Sequence, residues 1–174
     1  LLIYKIFILI LYSILKRLPM KKMIKWCVVI LFNIPLLLFS QALTDSTSIV
    51  SAINKQEADR IYNEGVTAFE NNNLDEAIDK FNQVLALDPA YEQAYFNRAI
   101  VKTKKNDNVG AITDYTKVIE LNPKNDNALV NRALIKQKMN DVDGAIKDYT
   151  NAILVNASNS IAYYNKATLL LDKK

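Results

Sequence analysis

The sequence predicts an all-α chain: three helical hairpins in tandem, closed by a single C-terminal helix. Three observations carry that expectation. The stretches NRAIVKTKKNDNVGAITDYTKVIELNP (97–123) and NRALIKQKMNDVDGAIKDYTNAILVNA (131–157) are near copies, in which Asn97 answers to Asn131 and Pro123 to Ala157. A fainter copy aligns over 58–91 with those at 92–125 and 126–159, and 160–174 opens a fourth. Within each copy apolar residues recur at helical spacing on two short segments, as Ile61, Ala68, Ala77, Phe81 and Val84 do in the first. A fixed period of this size marks a stacked architecture in which each unit buries its apolar face against its neighbours.

The residues before the repeats are of another kind. Two apolar runs, LLIYKIFILILYSIL and WCVVILFNIPLLLF, flank the basic stretch KRLPMKKMIK. MKKMIK, the second apolar run and Ser40-Gln41-Ala42 make the three parts of a secretory signal: basic start, short greasy middle, small-x-small cleavage site. The run at 26–39 is short for a spanning helix, which needs about 20 apolar residues, and Asn33 and Pro35 interrupt it. Cleavage is expected after Ala42 or after Ser40, and translation is expected to start at Met20 or Met23. Cys27 follows Ile24-Lys25-Trp26 rather than the small residues of a lipoprotein site, so no lipid anchor is expected there. The alternative is a membrane hairpin with 1–15 and 26–39 both embedded, giving membrane association through 1–39. Either way the basic loop stays in the cytoplasm and the rest crosses. In a bacterium that is export to the periplasm or cell surface. Residues 43–57 then read as a linker and helix lead-in.

The formal charge of +4 belongs to the leader, where Lys5, Lys16, Arg17, Lys21, Lys22 and Lys25 face no acid. Residues 43–174 carry 16 basic against 18 acidic side chains, so no nucleic-acid surface is expected. The run Lys102, Lys104, Lys105 reads as a solvated helix end. The chain has no histidine, and its one cysteine, Cys27, lies in the leader. Histidine-assisted serine or cysteine nucleophiles, Cys/His zinc sites and disulfides are thereby excluded from the repeats. With no Gly-rich phosphate loop or carboxylate cluster either, no catalytic residue, metal site or cofactor is expected.

Each copy spells out one hairpin. A small residue recurs at Gly65, Ala99, Ala133 and Ala167, and a second at Ala77, Ala111 and Ala145, each followed by Ile. An aromatic follows at Phe81, Tyr115 and Tyr149. Between the two segments stand Asn72, Asn106 and Asn140; asparagine tolerates the left-handed conformation that ends a helix. The next residue, Asn73, Asp107 or Asp141, is placed to cap the second helix. Asp88-Pro89 and Asn122-Pro123 stop that helix, and Asn156-Ala157 is the degraded equivalent, where a looser turn is expected.

This order of small, small, aromatic and proline, repeated at a fixed period, resembles the tetratricopeptide repeat, of an exported bacterial type. The resemblance covers 58–159 in full and 160–174 as a first helix. It departs at Ile61, Tyr95, Leu129 and Tyr163, where the family has Trp, at Asn108, where Leu74 and Val142 are the apolar equivalents, and at Ala157. It implies a right-handed superhelical stack whose first helices line a concave face. Mapped here, that peptide-binding groove is Tyr62, Val66, Phe96, Ile100, Val130, Leu134, Tyr164 and Thr168, edged by Asn97, Asn131 and Asn165. Apolar spots would take the side chains of an extended peptide while the amides bond its backbone; packing between helices is the competing role for the same residues. The subgroup that grips a chaperone's C-terminal carboxylate is matched only at Asn97. Tyr62, Val66, Asn127 and Asn131 stand where its other clamp residues belong.

Comparing the copies yields ion pairs. Arg98 stands to Asp114 as Arg132 does to Asp148, and Glu64 and Lys80 hold the same places in the first copy with signs reversed. A swap that keeps opposite charge predicts three contacts across the hairpins. At the C-terminus, Ala162, Tyr163, Ala167 and Leu170 are expected against the third hairpin. That leaves Leu169 and Leu171 for a partner, for self-association, or for further repeats of a longer array. The function expected is non-catalytic protein or peptide binding, as an adaptor or assembly factor in the bacterial envelope. The alternatives are a membrane-tethered scaffold and the sensor part of a larger protein.

Overall fold

A computed structural model describes residues 49–172 of the chain. The leader at 1–42, its start and cleavage sites, and the lead-in as far as 48 lie outside the described residues. By contacts the chain divides into Leu1–Ser51 and Ala52–Lys174, and the repeats occupy the second unit.

Among the described residues there are seven helices and no strand: α1 (49–70), α2 (Leu74–Leu87), α3 (Glu92–Lys104), α4 (Asn108–Leu121), α5 (Asp126–Lys138), α6 (Val142–Val155) and α7 (Ser160–Asp172). The lead-in is thus helical from residue 49 onward. From α2 on, each helix packs chiefly on the helices next to it in sequence, as a stack of hairpins requires.

The turns form as their residues dictate. Among the described residues, Asn72, Asn106 and Asn140 are the non-glycine residues with positive φ, at 62°, 62° and 65°. The next N–H reaches back toward the helix just ended: Asn73 to the Ala68 carbonyl at 2.8 Å, Asp107 to Lys102 at 2.9 Å, Asp141 to Lys136 at 2.8 Å. Helix end and reversal are thereby one Schellman turn. Asp107 and Asp141 then cap the following helix through the N–H groups of Gly110 and Gly144, at 2.9 and 3.0 Å. A Cβ on either glycine would overlap the capping carboxylate. The first hairpin has Glu76 at that place, and Asn73 makes no capping bond but donates to the Glu76 carboxylate instead.

The core is thin and rich in alanine. Ala77, Ala99, Ala111, Ala133 and Ala145 are fully buried where the two helices of a hairpin cross, beside Phe81, Tyr115 and Tyr149. Gly65 answers to Ala99 and Ala133, and a Cβ there would stand 2.8 Å from the buried Phe81 ring, so backbone meets ring directly.

All three charge pairs meet. Lys80 Nζ lies 2.7 Å from Glu64, and the Arg98 and Arg132 guanidinium groups grip Asp114 and Asp148 with two hydrogen bonds each, at 2.6–2.8 Å. The two aspartates are 2% and 1% exposed. Each also holds a second cation, Lys102 on Asp114 and Lys136 on Asp148, both at 2.8 Å. This corrects the reading of the basic run as a solvated end at Lys102, while Lys104 and Lys105 are exposed as expected. Lys102 is half-buried against Asp114, Lys104 lies over the Phe69 ring, and Lys105 alone pairs at the surface, with Asp75. The arginines also reach back to the preceding hairpin, Arg98 to Asn82 at 2.6 Å and Arg132 to Thr116 at 2.9 Å.

The junction without proline is as well bonded as the others. Asn156 N–H reaches Ala152 at 2.8 Å, as Asp88 and Asn122 N–H reach Val84 and Val118, and its side chain accepts from Ser158 as theirs do from Ala90 and Lys124. The side-chain acceptor makes this turn, and proline adds only rigidity. At α7 the expected packing is corrected. Ala162 and Leu169 are buried against the third hairpin, while Tyr163, Ala167, Leu170 and Leu171 are exposed. Leu169 lies one repeat beyond Ile135, which is buried in the same way.

Asn108 Oδ1 is buried without a hydrogen-bond partner. Asn108→Leu should therefore stabilise the protein by about 1–2 kcal/mol, seen as a raised midpoint in urea. Asp114→Ala strands two cations and should cost about 3–5 kcal/mol, whereas Lys80→Ala, in the more open first hairpin, should cost less in the same measurement.

Candidate peptide groove

The first helices α1, α3, α5 and α7 present Tyr62, Phe96, Val130 and Tyr164 at equivalent places, each followed by asparagine. The first three rows are tied inward. The Tyr62 ring packs 5.8 Å from Phe81 and 5.1 Å from Tyr91, and its hydroxyl accepts from Asn97 Nδ2 at 2.7 Å. Phe96 meets Tyr115 edge-on at 5.5 Å. Burial pushes the Tyr115 hydroxyl up to about 12, a rise that the Asn131 and Thr103 side chains partly oppose. Tyr149, whose hydroxyl donates to Gln137 at 3.2 Å, is likewise pushed up to about 12 by burial.

Tyr62, Phe96 and Asn97 share one hollow of about 200 Å³ with Glu92, Gln93, Asn125 and Asn127. Val66 and Ile100 are half-buried against the first and second hairpins. Val130 is 5% exposed and belongs to the core rather than to a surface. Leu134 and Tyr164 are open to solvent at 42% and 73%, and Asn165 is half-buried beside Tyr164. Thr168 turns its hydroxyl to the Tyr164 carbonyl at 3.0 Å. The arrangement can hold a chain by hydrogen bonding and apolar contact.

Glu92, Gln93 and Asn125 were not singled out from the sequence. Glu92 accepts from Asn122 at 3.1 Å and Asn125 at 2.7 Å, and Asp126 accepts from Asn156 at 2.7 Å and Asn159 at 2.8 Å. The Asn156 bond, with Asn159, holds the Asp126 carboxyl below the usual range. Asn125 and Asn159 also cap α5 and α7. The signal that could have found this clamp is an acid at the start of a first helix with two amides at the start of the next, Glu92 with Asn122 and Asn125, then Asp126 with Asn156 and Asn159.

The tetratricopeptide repeat sequence profile matches 92–125 and 126–159, and a second profile, described as TPR repeat, matches 65–105. Together they span more than half of the chain. The chain belongs to the tetratricopeptide repeat family. No curated protein matches it. Among solved structures it is similar to the first TPR of Spaghetti (RPAP3) bound to an HSP90 peptide, SRMEEVD, at 22% identity and TM-score 0.64, covering 67% of this chain and 93% of that one. It is similar to the Arabidopsis OM64 TPR domain at 20% identity and TM-score 0.64, over 68% and 98% of the two chains. The second TPR domain of human RPAP3, in complex with the HSP70 peptide SGPTIEEVD, gives 21% identity and TM-score 0.63 over 67% and 97%. At these identities the likeness is one of fold.

The tetratricopeptide tyrosines set an alkaline limit. Groups whose folded values lie above the free value of about 10 stabilise the protein fully below that pH, and the contribution is lost as pH rises through the folded values. With Tyr115 and Tyr149 near 12, tyrosinate absorbance should rise together with loss of helical circular dichroism between about pH 10 and 12. Absorbance rising fully before the helices melt would show these hydroxyls to be free.

Proposed function

We propose that this tetratricopeptide protein binds another protein non-catalytically, as an exported adaptor or assembly factor, taking a neutral extended segment in the groove of its first helices. The observation that carries the reading is the chemistry of the hollow. Tyr62, Gln93, Phe96, Asn97, Asn125 and Asn127 line it with no cation, and its one charge is the Glu92 carboxylate. A partner's acidic tail placed there would lose its hydration without a compensating lysine or arginine. The peptides in the two RPAP3 structures both end in Glu-Glu-Val-Asp, and the lack of cations at Tyr62, Val66, Asn127 and Asn131 sets this groove apart from a carboxylate clamp. Neutral backbone amides can bond the outward amide atoms, while Leu134 and Tyr164 offer apolar contact. Export is supported by the basic, apolar, small-x-small order of the leader.

Selection of a displayed peptide library on the protein is the test. The expected winners are uncharged internal segments, and their binding should fall at least about tenfold in an Asn127→Glu, Leu134→Glu variant whose circular dichroism matches the parent. A consensus ending in acidic residues and a free carboxylate would overturn the reading.

A further inference from the structure

We propose, on the basis of the groove reading above, that the hollow at Tyr62 and Phe96 anchors a primary-amide side chain of the bound segment, glutamine or asparagine, and that Glu92 selects it. The site lies inside the stack, between α1, α3 and the start of α5 with its cap. It is built around one carboxylate. Glu92 accepts from Asn122 and Asn125 through the same oxygen, Oε1. Two amides therefore fix the side chain, and Oε2 has no partner among the described residues. Asp126 is held in the same way one repeat on, with Asn156 and Asn159 both donating to its Oδ2. Joining successive repeats thus accounts for the clamp in both places. The surroundings differ: at Asp126 the place of Phe96 is taken by Val130, which is buried in the core. At Glu92 the clamp borders a hollow of about 200 Å³ lined by both aromatic rings.

The lining sets what fits. Gln93, Asn97, Asn125 and Asn127 bring amide N–H groups and carbonyl oxygens, and Asn97 commits one N–H to the Tyr62 hydroxyl. An entering group must donate to Glu92 and accept from an amide at once. A lysine side chain has donors only, and a carboxylate has acceptors only and is repelled by Glu92. A serine or threonine hydroxyl offers a single donor and too short a stem to cover the rings. A primary amide carries two donors and an acceptor, with no charge to desolvate. Its methylene stem lies against Tyr62 and Phe96.

The probes are the uncharged segments selected on the full chain, resynthesised with Gln, Met, Lys or Glu at the amide position and measured by fluorescence anisotropy. Gln should bind at least about tenfold more tightly than each of the other three. Glu92→Gln keeps an oxygen for Asn122 and Asn125 but turns a donor toward the hollow, so it should erase the discrimination of Gln from Glu. Asp126→Asn, the matching change one repeat on, should leave that discrimination intact. Circular dichroism of both variants must overlay the parent, and the peptide series on the parent decides without either. Selected segments that share no amide position, Lys binding as well as Gln, or discrimination indifferent to Glu92→Gln would each overturn the amide anchor while the groove stands as the binding surface. Failure to select any uncharged segment, or binding that survives Asn127→Glu, Leu134→Glu, would overturn the groove reading and the anchor with it.

Discussion

Arg98 and Arg132 hold this stack in register. Each touches three helices at once: its own, the following helix through a buried aspartate, and the preceding hairpin through Asn82 or Thr116. The apolar core alone would not fix that register. It is built largely of alanines, which let helices approach closely but slide with little penalty. A buried carboxylate gripped at both oxygens allows no such freedom, because a slip along the helix would leave an uncompensated charge inside. Small residues set the distance between helices and the ion clusters set their alignment.

The first hairpin departs from this scheme in several linked ways. Its pair is reversed and more exposed, its glycine meets a phenylalanine that needs no hydroxyl partner, and its second helix has no side-chain cap. Arg60 bridges Glu57 and Glu64 along α1, so the charges are satisfied within one helix as well as across two. In a stack where stability is roughly a sum of unit and interface terms, this makes the first hairpin the softest of the three. The two hairpins behind it share the bidentate arginine, the second lysine and the aspartate cap.

Much of this was legible because the copies could be compared with one another. The left-handed asparagines, the caps, the crossing alanines and the charge pairs all recur at one period, and repetition separates a structural demand from chance. What was missed lay where one residue does two things. Lys102 sits in a basic run and looks solvated, yet helical spacing puts it one turn beyond Arg98, on the same buried aspartate. Asn122 and Asn125 read as turn residues, and their second role, on Glu92, joins the starts of two successive repeats. Amphipathic spacing within α7 alone does not place Leu169, whereas its equivalence to the buried Ile135 one repeat earlier does.

The lack of cations in the hollow is a consequence of the hairpin clusters. Successive residues on a helix point about 100° apart, so Asn97 and Arg98, or Asn131 and Arg132, serve different surfaces. The arginines and the lysines one turn on are committed to Asp114 and Asp148. That leaves amides, the Tyr62 hydroxyl and the Glu92 carboxylate to face the hollow, and these are partly tied to one another, Asn97 to Tyr62 and Asn125 to Glu92. A groove already bonded in this way is ordered before a ligand arrives, and each amide keeps unused hydrogen-bonding capacity for a peptide backbone. On the proposed reading, selectivity would depend less on a ligand's charge than on its ability to lie extended against Tyr62 and Phe96. A ligand that had to break the Asn97–Tyr62 bond would gain one hydrogen bond and lose another, so on the proposed reading the favoured segment would be one that leaves this bond intact.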